Sequence, residues 1–111
     1  MNYLENLRTQ TIDIANAGDN TLIAAPTTDG NYIAIDFIQI FVPAALAVIM
    51  KNGTTAINGV YTFQAGQNVT IENAMKNEHG VITCSPNTAF VINLGAALQC
   101  SGFIRYREVG Q

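Results

Sequence analysis

Residues 40–50 read IFVPAALAVIM, the longest apolar stretch of the chain. A helix that crosses a bilayer needs about 20 apolar residues, so this run is too short to span one. Pro43 lies inside it, and proline, with no N–H for a ladder, is confined to strand ends, edges and bulges. The stretch therefore reads as two strands meeting at a corner. Beyond the proline, Leu46, Val48 and Met50 alternate with Ala47, Ile49 and Lys51, and a two-residue period places the two sets on opposite faces of a strand.

The same period continues outward in both directions. Strands are predicted over 10–15, 21–25, 32–42, 45–51, 60–64, 69–72, 81–84, 89–94 and 102–109, broken by Gly, Asn, Asp and Pro at the spacing of a sandwich or barrel. Phe90, Ile92 and Leu94, then Ile104 and Tyr106, join the inward set, and Tyr61 is counted with the core. Ala89, Val91 and Asn93, then Phe103, Arg105 and Arg107, fall on outer faces. Ala17-Gly-Asp-Asn20 reads as a turn, with Asp19 and Asp29 as turn formers. These outer faces are not polar enough to be plainly solvated, and the run 33–42 carries apolar residues on both faces, where a strand with one wet face would alternate. A monomer would then expose a patch larger than the few hundred Å² that is usual, so a homodimer through 33–50 is expected, with Ile38, Ile40, Val42 and Ile49 in the contact.

At 111 residues the chain fits one domain: an N-terminal arm, 1–9, followed by a sandwich domain, 10–111. Charged residues make 12% of the chain and hydrophobic ones 49%, which is too apolar for disorder and suits a protein whose surface is partly covered by another. A net charge of −3 offers no basic stripe for phosphates, so no nucleic-acid partner is expected. No membrane partner is expected either. The first ten residues, MNYLENLRTQ, lack a charged region followed by an apolar one, and the expectation is that the chain carries no secretory signal. Tyr3, Leu4 and Leu7 stand at roughly helical spacing beside Glu5 and Arg8; they read either as a frayed terminus or as an arm that orders on a neighbour.

Chemistry is sparse. Cys84 and Cys100 are the two cysteines, expected as buried reduced thiols rather than a disulfide, and with the single His79 they cannot complete a zinc site. His79 and Cys84 are separated by an odd number of positions, which puts them on opposite faces of an extended segment and argues against a catalytic pair. Asp36 is the one acid inside an apolar run, where burial demands a partner, and it reads as a structural ion pair or an interface contact before a general base. No glycine spacing fits a phosphate loop. No enzyme activity, metal or cofactor is expected.

In order along the chain, GDNTLIAAPTTDGNYIAIDFIQI (18–40), AVIMKNGTTAINGVYTF (47–63), Phe90-Val-Ile-Asn-Leu94 and Gly102-Phe-Ile-Arg-Tyr106 resemble small β-sandwich proteins of tailed bacteriophages. In that family a turn with GDNT feeds an IVAA strand, a strand ending in K.G is followed by I.G, and G.i.Y closes the domain. Asn31, where the pattern often has Lys or Arg, and the small apolar 43–47 depart from it. The length and the arm look most like the capsid decoration, or staple (cement), proteins of epsilon15-like short-tailed phages. The resemblance implies an all-β, antiparallel jelly-roll-like β-sandwich with an extended N-terminal arm, made in the bacterial host cytoplasm and placed on the outer capsid surface of the virion. Its expected partners are the major capsid protein and a second copy of itself. Candidate capsid-facing residues are Tyr3, Leu4, Leu7 and Arg8 of the arm, with Arg105 and Arg107 at the end of the last strand. A carbohydrate- or host-receptor-binding virion module is the alternative, and would present aromatics and amides in a concave site.

Overall fold

The structure, a computed structural model, describes residues 7–110. Its strands are β1 (Arg8–Ile14), β2 (Gly18–Ile23), β3 (Tyr32–Phe41), β4 (Leu46–Asn52), β5 (Thr55–Ala56), β6 (Tyr61–Phe63), β7 (Asn68–Glu72), β8 (Ile82–Thr83), β9 (Phe90–Leu94) and β10 (Cys100–Val109). They build two antiparallel sheets. The front sheet runs β1-β10-β3-β7 with β8 also on β3, and the back sheet runs β2-β9-β4-β5 with β6 also on β4. Setting aside the two-residue β5 and β8, four strands lie in each layer, and the chain crosses between layers at every connection except the one joining β4 to β6. That path is a jelly roll. The corner at Pro43 lies between β3 and β4, where the chain leaves one sheet for the other.

The two-faced apolarity of β3 has an internal cause. β10 pairs Arg105 with Phe37 but Tyr106 with Ile35, so Asp36 is an extra residue on β3, a bulge that reverses the inward phase. Ile33 and Ile35 point into the core before it, and Ile38 and Ile40 after it. This corrects the expected self-association surface: Ile38, Ile40 and Val42 are at most 1% exposed and fill the space between the sheets. Of the four residues, Ile49 alone keeps partial exposure, alternating with the inward Val48 and Met50 on β4.

Three further expectations change. Gly18, Asp19 and Asn20 begin β2 rather than making a turn, paired with Leu94, Asn93 and Ile92. Tyr61 is 50% exposed, not core, and lies edge-on to the buried Phe63. Arg8 and Thr9 already pair with Tyr106 and Arg105, so the sheet takes in the last two residues of the expected arm. Tyr3 and Leu4 lie outside the described residues.

Cys84 and Cys100 are free and buried in the core. Burial pushes each thiol from its ordinary 9.0 up to about 11, because a thiolate there would lose its hydration. Iodoacetamide at pH 8 is therefore expected to label neither cysteine in the native protein and both after denaturation; rapid native labelling, followed by mass spectrometry, would show a core that opens. The same shift makes the fold sensitive to alkali. Stability is retained below pH 9 and falls as the pH rises toward 11, where unfolded thiols release protons that native thiols still hold.

Candidate functional site

The register of the front sheet arranges its outer face in rows. Glu72, Phe37, Arg105 and Thr9 align across β7, β3, β10 and β1, and Thr70, Gln39, Phe103 and Thr11 align two positions along. Phe37 and Phe103 are thus diagonal neighbours, near enough for side chains to meet, and their rings stack with centroids 5.2 Å apart and planes at 22°. The Arg105 guanidinium carbon lies 5.8 Å from the Phe103 centroid, inside the ~6 Å range of a cation–π contact.

These side chains line a cleft of about 600 Å³, to which Leu7 also contributes. Its opposite wall is Glu72, Asn73, Ala74 and Lys76, from the end of β7 and the loop after it. The wall is tied to the Asp36 bulge. Asn73 donates its backbone N–H to the Asp36 carbonyl at 2.8 Å and its side-chain amide to Asp36 Oδ1 at 3.0 Å. Asn73 and Asn77 exchange hydrogen bonds of 2.7 and 2.9 Å, which close the turn.

Asp36 is held in turn by Arg107, through Nε to Oδ2 at 2.7 Å and Nη2 to Oδ1 at 3.1 Å. Nη2 also donates to the Glu78 carbonyl at 2.7 Å. With Asp36 8% and Arg107 6% exposed, this is the structural ion pair that an acid in an apolar run requires. It also corrects the placement of Arg107 among solvent-facing capsid contacts: the bulge turns Asp36 toward it and the 73–80 loop covers both.

Among the described candidates, Leu7 and Arg105 come together in the cleft. Arg8 stands apart at the start of β1, exposed, 3.8 Å from Glu108. Phe37, Asn73 and Lys76 were missed, because no periodicity reveals a bulge; the available signal was Asp36-Phe37 interrupting an otherwise regular apolar alternation.

Other polar groups resolve into structure. His79 is exposed and its Nδ1 shares a 2.8 Å hydrogen bond with the Tyr32 hydroxyl, while Cys84 is buried. On the back sheet, Asp19 accepts bonds from the Asn93 amide at 2.7 Å and from Lys51 Nζ at 3.0 Å. Those two donors hold its carboxyl below the ordinary 3.8. Among the described residues no group of three His, Cys, Asp or Glu side chains is placed to hold a metal ion. No protein-family model, curated protein or solved structure matches the chain.

Proposed function

We propose that this chain is a structural virion protein without enzymatic activity, which binds the outer surface of an icosahedral phage capsid and staples neighbouring major capsid subunits, acting as a homodimer. The sequence resemblance supports the class. The observation that carries the site is the cleft on the front sheet, where Leu7, at the root of the arm, meets a stacked aromatic floor and Arg105. A rigid aromatic and arginine cluster in a concave site has the chemistry of an interface anchor, and stapling asks for repeated contacts rather than reaction chemistry.

The test is to mix purified protein with capsids that lack it and to image them. Saturable, symmetric decoration that protects the shell against heat supports the reading; absence of binding refutes it. Phe103→Ala is expected to weaken affinity for the capsid by about 30-fold, the effect of removing an anchor worth ~2 kcal/mol. Removing residues 1–6, which leaves all of β1 in place, is expected to lower occupancy without unfolding the sandwich.

A second reading is favoured by the same cleft. Aromatic rings beside Asn73, Glu72 and Arg105 also suit a carbohydrate, as a receptor-binding module would. A glycan array that finds a ligand lost in Phe103→Ala would place this reading first.

A further inference from the structure

The capsid reading leaves the free edge of the front sheet unused. Among the described residues β7 pairs with β3 alone. The bonds from Asn73 N to Asp36 O at 2.8 Å and from Val42 N to Gln67 O at 3.2 Å bracket this pairing. They set its alternation: Val69 and Ile71 turn their N–H and C=O groups toward β3, and Asn68, Thr70 and Glu72 turn theirs outward. Sheet edges in soluble proteins are blunted by lysine, proline, bulges or brevity. β1 carries Arg8 and Asp13, β2 has a register shift between Thr21 and Ile23, and β5 and β6 are two and three residues long. β7, with the sequence NVTIE, has no lysine, proline or register shift over five residues, and its single charge, Glu72, stands at its last position.

We infer that β7 is a dimer edge, pairing antiparallel with β7 of a second copy about a two-fold axis at Thr70. The inference rests on the homodimer part of the reading above and not on its capsid part. Self-complementarity identifies the occupant. About that axis Thr70 meets itself, Asn68 meets Glu72 so that no like charges are opposed, and Val69 meets Ile71 on the core side. The outward amides of all three positions then find partners in an isologous ladder.

The apolar surface beside the edge points the same way. A slot of about 220 Å³ between the sheets is lined by Met50, Tyr61, Phe63, Val69 and Ile71. It is smaller than the ~300–1,000 Å³ of sites for drug-sized ligands. Of its lining residues Tyr61 is 50% exposed, and Ile57 and Val60, next in sequence to the lining residues Asn58 and Tyr61, are 40% and 66% exposed. A front sheet continued through two copies brings both slots and both patches to one seam, where each copy covers the other.

Sedimentation velocity and cross-linking test this together. The wild-type chain is expected to sediment as a dimer, and Thr70→Lys, which sets two cations face to face on the axis, as an 11.9 kDa monomer with an unchanged far-UV spectrum. Thr70→Cys is expected to form a covalent dimer on mild oxidation, since Cα atoms of a hydrogen-bonded pair lie ~5.5 Å apart, within disulfide range. Asn68→Cys, facing Glu72, is expected not to. A wild-type monomer at all concentrations overturns the inference, as does a dimer that survives Thr70→Lys while Thr70→Cys stays unlinked. Failure to decorate capsids with the dimer intact would overturn the capsid reading alone.

Discussion

Replacing Gly102 with alanine is expected to remove at least about 4 kcal/mol of stability, the range reached only by severe core or backbone damage. Gly102 lies within β10, paired with Ile12 of β1 on one side and Ile40 of β3 on the other. Its φ is +141°, a conformation that side-chain-bearing residues rarely adopt. A Cβ there would overlap the Gln39 carbonyl oxygen, which is backbone in the neighbouring strand and cannot swing aside. Relief would require β10 to part from β3, at the centre of the front sheet. Gly18→Ala is the control: its φ is +91° but nothing stands within 4 Å of the added methyl, so only the backbone term of about 1–2 kcal/mol applies. Urea unfolding followed by circular dichroism measures both. Equal effects, or a loss below ~1 kcal/mol for Gly102→Ala, would contradict the close approach.

The two-residue period made the layers legible, and the reason is physical. Where one face of a strand is buried, alternation is enforced residue by residue, as in Leu46, Val48 and Met50 or Phe90, Ile92 and Leu94, all of which are core. The period fails where the backbone breaks it. A bulge at Asp36 makes one apolar face look like two, and so it moved Ile38, Ile40 and Val42 from the core to an imagined surface. Edge strands fail differently: Tyr61, in the three-residue β6, has no further strand to cover it and stays exposed. The cleft was half legible. Leu7, Phe103 and Arg105 were named or placed on an outer face from sequence, but Phe37 and the 73–78 wall depend on which way the bulge turns, which is a tertiary property.

Removing Arg107 is expected to cost about 3–5 kcal/mol, because truncating one partner leaves the other charge buried and unpaired. For a domain with a typical ~5–15 kcal/mol of stability, Arg107→Ala would therefore be marginal at best, although a residue on the last strand with an expected outward side chain would ordinarily change little. The more informative variant removes both charges. In Asp36→Leu with Arg107→Met the desolvation cost disappears together with the attraction, so most of the lost stability is expected to return. The 73–78 wall does not return with it. Asn73 loses its acceptor on Asp36 Oδ1 and the Glu78 carbonyl loses the guanidinium, so residues 73–78 keep their own turn bonds and the backbone bond to the Asp36 carbonyl, with His79 beyond them still bonded to Tyr32. Hydrogen exchange should accordingly accelerate at residues 73–78 while the core amides of β3 and β10 stay protected. Capsid occupancy should fall with the loop and not with global stability. A double variant with wild-type stability and wild-type occupancy would mean that the wall is no part of the interface, and that Phe37, Phe103 and Arg105 hold the partner from the floor of the cleft alone.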